Sequence, residues 1–176
     1  MRLAVDHVYT FQEVFFMSIE KVKKQLESFG LFDRIREFTV SSATVELAAA
    51  ALDVPPEVIA KTIAVSDKSG EGCILIVAAG DNKLCSKKFK QQFGFKPKML
   101  KFDEVEQKTG HPVGGVSPFG AKEEAEVYLD VSLNRFEKVY PAAGTANTAV
   151  EITLDELKRV IGRDEFIDVC KEAEKK

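Results

Sequence analysis

Tryptophan is absent from this 176-residue chain, histidine occurs twice and cysteine three times. Each scarcity excludes chemistry. A Ser-His-Asp or Cys-His nucleophile must take His7 or His111 as its base. Ser117, a few residues beyond His111, lacks the G-x-S-x-G elbow that would expose it as a nucleophile. Cys73, Cys85 and Cys170 form no CxxC pair and are odd in number, which fits a reducing cytoplasm better than a disulfide scaffold or a zinc site. Neither an H-x-x-x-H pair nor EF-hand spacing occurs, so no metal is expected. A GxxxxGK[ST] loop is missing too, and no GxGxxG follows a strand, so no nucleotide cofactor is expected either. No run nears the ~18 apolar residues of a membrane span. Residues 1–16, interrupted by Asp6, His7 and Glu13, lack the apolar core and cleavage site of a signal peptide. An excess of positive charge is lacking as well. The net charge is -3, which argues against a non-specific nucleic-acid coat protein, while 25 lysines and arginines leave room for a local basic patch.

What is present reads as one mixed α/β domain. The length suits a single core. Residues 1–16 read as an N-terminal extension, either an appendage or an added strand, and 17–176 as the domain, with Met17 a candidate natural start and Ser18 a helix N-cap. Ile19, Val22, Leu26 and Phe29 recur at helical spacing, and Gly30 is placed to end that helix. A strand is expected over Arg34–Val40, then an alanine-rich helix over Val45–Leu52 capped by Thr44 or one of the serines before it. Pro55-Pro56 opens a short helix from Glu57 to Ala60, and Lys61 falls at its exit, before the strand Thr62–Val65. Cys73–Ala79 is apolar without alternation, the mark of a strand buried on both faces, so the two strands read as a hairpin at the sheet centre. Ser86 caps a basic helix to Phe93 with Lys87, Lys88 and Lys90 exposed; a strand follows over Phe95–Leu100. Asp103 and Glu106 resemble a capping box for a helix ending at Gly110. Strands are expected over Val127–Val131, Lys138–Ala142 and Ala149–Thr153, and helices over Asp155–Ile161 and Asp164–Glu174.

Between these elements lies the stretch His111-Pro112-Val113-Gly114-Gly115-Val116-Ser117-Pro118-Phe119-Gly120. Its glycine and proline density fits neither a helix nor a central strand. It is a shaped loop, either a structural turn or a ligand loop whose backbone N–H groups meet an anion or a carbonyl oxygen. Lys61 has two readings as well: a snorkelling surface residue, or a fixed cation that meets a phosphate or a developing oxyanion. Backbone donors, one lysine and Asp130 make a site without an obvious nucleophile. Such a site still hydrolyses an ester if it stabilises the tetrahedral oxyanion while water or the substrate attacks.

At Thr44-Val45-Glu46-Leu47-Ala48-Ala49, Ile59-Ala60-Lys61-Thr62, Gly114 to Gly120, Tyr128-Leu129-Asp130 and Ala143-Gly144, the chain resembles the YbaK family, from about Ser18 to about Val160. These are aminoacyl-tRNA deacylases related to the editing domain inserted in bacterial prolyl-tRNA synthetases. The resemblance implies a single-domain editing fold, with a mixed, largely antiparallel central sheet flanked by helices. It implies hydrolysis of the ester joining a wrong amino acid, typically alanine or cysteine, to tRNA(Pro). The partners implied are the aminoacyl-tRNA acceptor end and prolyl-tRNA synthetase, with no membrane. Carried over, Lys61 matches the functional lysine, which holds the terminal adenosine or a phosphate. Gly114, Gly115, Val116, Ser117 and Pro118 match a Gly-x-x-x-Pro loop whose backbone faces the ester carbonyl. Thr44, His111, Asp130, Ala143, Gly144 and Thr145 form the substrate-binding group, with His111 either lining the pocket or packing the loop. Several members carry basic residues after the glycine where this chain has Thr145-Ala146-Asn147. A non-catalytic module that binds a tRNA end, and a plain small-ester hydrolase, are the alternative readings.

Overall fold

The structure, a computed structural model, describes residues 10–174. The expected extension lies outside the described residues over 1–9, His7 included. Helix α1 (Phe11–Ser28) runs through residue 16 and is capped by Thr10, not Ser18. The Thr10 hydroxyl accepts from the Glu13 amide, and the Glu13 carboxylate accepts from the Thr10 amide at 2.7 Å. This reciprocal cap satisfies two orphan donors and outcompetes a start at Ser18, which is buried in mid-helix. Val22 and Leu26 are fully buried on the face that the periodicity marks. Each contributes about 1.5–3 kcal/mol of apolar burial.

The elements that follow are β1 (Ile35–Glu37), α2 (Val45–Leu52), β2 (Ile59–Ser66), β3 (Cys73–Ala79), β4 (Asn82–Leu84), α3 (Ser86–Phe93) and α4 (Phe102–Thr109). After them come β5 (Ala125–Asp130), β6 (Lys138–Pro141), β7 (Thr148–Val150), β8 (Ile152–Thr153), α5 (Leu154–Ile161), β9 (Phe166–Ile167) and β10 (Cys170–Glu172). Six strands form the central sheet in the order β8-β6-β2-β3-β5-β9. The expected hairpin is its centre: β2 and β3 pair antiparallel from Ala60–Ala79 to Ser66–Cys73. The sheet is less antiparallel than expected, since β6 joins β2, β5 joins β3 and β9 joins β5 in parallel. All of β3 is buried. Val77 and Ala79 face a core shared with α1 and α5, while Ile74, Ile76 and Ala78 face Phe89 of α3 and Val169.

Several local expectations change. Lys61 lies inside β2 rather than before it, because the proline pair makes only a single 3-10 turn over Pro56–Val58. Cys85, not Ser86, precedes α3, and no side chain caps that helix. Lys88 is not a free surface cation; its Nζ donates to Asp168 at 2.6 Å and to the Cys170 carbonyl at 2.9 Å. The box on α4 is set by Lys101 and Glu104, whose carboxylate accepts from the Lys101 amide at 2.9 Å, rather than by Asp103 and Glu106. Phe95–Leu100 is no strand and bridges β2 only at Val65–Met99. The helix expected over Asp164–Glu174 is instead the extended pair β9 and β10, because the buried Asp130 carboxylate accepts from the amides of Val169 and Cys170 at 2.9 and 3.0 Å. Those bonds take the donors that a helix would need. No helix among the described residues is long and apolar enough to cross a membrane.

Candidate functional site

Strand β2 has one open edge. Its pairing with β6 ends at Ala60–Pro141, and the outer side is next met at Ala64, whose carbonyl accepts from the Leu100 amide. Among the described residues no strand pairs with the edge between. A cavity of about 350 Å³ opens there, bounded by the start of α2, the edge of β2, the end of β6 and the loop after α4. That volume is at the small end of ligand pockets. Its walls are mostly small: Ala43, Ala48, Ala60, Ala142 and Ala149. The polar lining comes from Ser42, Thr44, Lys61, Thr62, Tyr140 and Thr148, with no carboxylate, imidazole or thiol among them.

Of the residues singled out in the sequence, Lys61, Thr44, Gly114 and Val116 come together at this cavity. Lys61 is half-buried and its Nζ donates to the Gly80 carbonyl at 3.1 Å. Burial lowers its pKa from the ordinary lysine value, opposed by the carboxylates of Asp81 and Glu46. The ammonium is thus held by one carbonyl and retains donors for an anion. Thr44 ends the approach to α2, its hydroxyl accepting from the Leu47 amide at 3.2 Å. Gly114 needs glycine twice over: φ is 84°, and a Cβ would stand 2.9 Å from that of Ala43.

The remaining candidates stand behind this lining. Gly115 packs flat on Thr145, where a Cβ would meet backbone atoms at 2.6–2.8 Å. Its own amide donates to the Pro112 carbonyl at 3.0 Å. Ser117 is buried and accepts from the Phe119 amide at 3.1 Å, which fixes the turn at Pro118. His111 does not line the cavity. It is buried, with Nδ1 2.6 Å from the Ser18 hydroxyl, and burial pushes its pKa down to about 4 against the favourable backbone of Phe119 and Ser117. The Ser18 hydroxyl also donates to the Gly144 carbonyl at 2.7 Å, so α1 ties the glycine loop to the turn Ala143-Gly144-Thr145. Those three residues are buried supports rather than lining. Asp130 is a buried anchor for the β10 segment. Burial raises the thiol pKa of Cys73, to about 11, and of Cys170, so neither is a ready nucleophile.

Sequence reasoning passed over Thr62, Tyr140, Thr148 and the alanine wall. Thr62 had a signal, as a hydroxyl within an otherwise apolar strand next to Lys61. The others are brought in by the β2–β6 pairing, which local pattern does not encode.

The model of the aminoacyl-tRNA editing domain matches residues 39–160 of the chain. Protein YwhH of Bacillus subtilis (strain 168) is 46% identical over 158 residues, covering 90% of this chain and 100% of that protein. Among solved structures, protein APE2540 superposes with a TM-score of 0.77 at 32% identity, covering 86% of this chain and 99% of its own. A candidate trans-editing enzyme for prolyl tRNA synthetase also reaches 0.77, at 27% identity, covering 88% of this chain and 97% of its own. With a family match across most of its length, around a cavity built from the lysine and the glycine loop, the chain belongs to the aminoacyl-tRNA editing domain family.

Proposed function

We propose that this aminoacyl-tRNA deacylase removes a small amino acid, alanine or cysteine, from mischarged tRNA(Pro), with the cavity beside β2 as its active site. The observation that carries the reading is the meeting of Lys61, Thr44, Gly114 and Val116 in one small, alanine-walled cavity. The walls suit a short side chain. A pocket discriminates a methylene by only about 1–3 kcal/mol, which is why a second, hydrolytic site on the mischarged product is useful.

In this reading Lys61 holds the terminal adenosine or a phosphate. The ester carbonyl faces the loop Gly114–Pro118, and the donors belong to Gly114 and Val116, since the Gly115 amide is spent on Pro112. Because the lining offers no carboxylate, imidazole or thiol, the nucleophile that releases the amino acid is water; attack by the neighbouring hydroxyl of the terminal ribose moves the acyl group to that oxygen, and water must still open the new ester. Attack on the carbonyl carbon builds a tetrahedral oxyanion beside those amides. The ester C–O bond then breaks, and the ribose oxygen leaves with the proton. A cysteinyl substrate has its own thiol as a further nucleophile: the C–S bond forms as the C–O bond to the ribose breaks, the ribose oxygen takes the thiol proton, and water then opens the cyclic thioester released. Prolyl-tRNA synthetase is the partner proposed to present the tRNA.

The test is deacylation of Ala-, Cys- and Ser-tRNA(Pro) by wild type and Lys61→Ala side by side. Hydrolysis of one of the first two by wild type, with Pro-tRNA(Pro) intact and activity lost in the variant, is expected. Failure on all three removes tRNA(Pro) as the substrate; activity on Ser-tRNA(Pro) alone corrects the amino acid.

A further inference from the structure

We infer that Thr62 receives the α-amino group of the aminoacyl ester. The inference rests on the deacylase reading and adds to it a substrate contact. Thr62 lines the cavity, and its Oγ1 is buried without a hydrogen-bond partner among the described residues. A buried hydroxyl left unpaired costs stability, and native proteins rarely keep one without a use. The backbone of the same residue is also on offer. The Ser66 amide donates to the Lys98 carbonyl and the Ala64 carbonyl accepts from Leu100, so these residues turn their backbone groups away from β3. Residues two apart on a strand face the same way. The Thr62 carbonyl therefore points to the open edge, in the gap between the end of the β6 pairing at Ala60 and the contact at Ala64.

One residue thus borders the cavity with two acceptors, a hydroxyl and a carbonyl, while the other hydroxyls of the lining, those of Ser42, Thr44, Tyr140 and Thr148, are already bonded within the fold. An aminoacyl ester has one group that donates several hydrogen bonds whatever its side chain: the α-amine. Lys61 does not compete for these acceptors. Its side chain leaves β2 on the opposite face and bonds the Gly80 carbonyl. In the deacylase reading the glycine loop supplies the Gly114 and Val116 amides, donors that suit the ester carbonyl and not an amine. The amine at Thr62 and the carbonyl at Gly114–Val116 would fix both ends of the aminoacyl group across the cavity.

The experiment compares an aminoacyl-tRNA that wild type hydrolyses with its α-hydroxyacyl counterpart, in which a hydroxyl replaces the amine at nearly the same size. The enzymes are wild type, Thr62→Val and Thr62→Ser. Expected is a fall of about tenfold or more in the aminoacyl-to-α-hydroxyacyl ratio of kcat/KM in Thr62→Val, with the ratio kept in Thr62→Ser. Because valine matches threonine in shape and removes the orphan hydroxyl, Tm of Thr62→Val should rise by about 2–4 °C. An unchanged ratio overturns the assignment, whether the variant is fully active or slows both substrates alike. A lower Tm shows the hydroxyl bonded within the fold and removes the premise. Wild type inactive on every charged tRNA overturns the deacylase reading itself, and this inference with it.

Discussion

Ser18 has one hydroxyl proton and two neighbours within bonding distance, the Gly144 carbonyl at 2.7 Å and His111 Nδ1 at 2.6 Å. A carbonyl only accepts, so the proton goes to Gly144 and Nδ1 must bring its own. His111 is then the Nδ1–H tautomer with a bare, buried Nε2, which has no partner among the described residues. The unfolded imidazole takes a proton near 6.5, but the buried one is pushed down to about 4. Between those values the unfolded chain binds a proton that the native protein refuses. Stability is therefore full above pH 6.5 and falls as pH drops toward 4, by about 3 kcal/mol in all. In denaturant titrations at pH 7 and pH 5, the wild type should lose more stability than His111→Gln. Equal losses would place the acid sensitivity elsewhere. Gly115 yields a second residue-scale outcome. A methyl there meets the Thr145 backbone, which cannot turn aside as a side chain does. Gly115→Ala should cost about 1–3 kcal/mol by thermal denaturation, and displace the loop enough to depress deacylation even where the protein stays folded.

Helices and strands were legible where a local pattern decides them. Val22 and Leu26 repeat at helical spacing and are buried; Cys73–Ala79 is apolar throughout and is the fully buried central strand. The misreadings fall where a distant group decides. Nothing within Asp164–Glu174 announces that a carboxylate from β5 will take its amides. A third bond, from the Ser132 amide at 2.9 Å, holds that carboxylate in place. Asp130→Asn removes the charge and turns one acceptor into a donor facing a donor. Each charge-assisted bond lost costs about 1.5–3 kcal/mol. Hydrogen exchange at the Val169 and Cys170 amides should accelerate well before exchange in β3 does. If both regions accelerate together, the β9–β10 segment is not a separately opening unit. Asp130 thus sets the conformation of a segment some forty residues away, a role no local pattern encodes.

The whole molecule separates what can be read in a chain from what must be folded. Lys61 and Gly114 were visible as unusual residues, and the cavity contains both. The alanine wall was not visible, because Ala48, Ala142 and Ala149 acquire meaning only once α2, β6 and β7 are set side by side. Charge is the property that belongs to no single element. The net charge is -3, and several cations are already engaged: Arg34 with Glu156, Lys88 with Asp168, Lys108 with Glu104, Arg135 with Asp81 and Lys138 with Glu151. With acidic residues outnumbering basic ones, 28 to 25, the chain carries no net positive field to set against a phosphate backbone. The protein should therefore grip the charged 3′ end and little of the duplex behind it. The logarithm of affinity for free aminoacyl-tRNA should then fall with the logarithm of salt concentration at a slope of about 3 or less, since each phosphate neutralised adds roughly 0.7–0.9. Binding by the isolated chain at physiological salt should be weak, and adding prolyl-tRNA synthetase should lower the KM for charged tRNA while leaving kcat nearly unchanged. Low-nanomolar affinity of the chain alone, with a steep salt slope, would mean that it holds the tRNA body itself and needs no partner to present it.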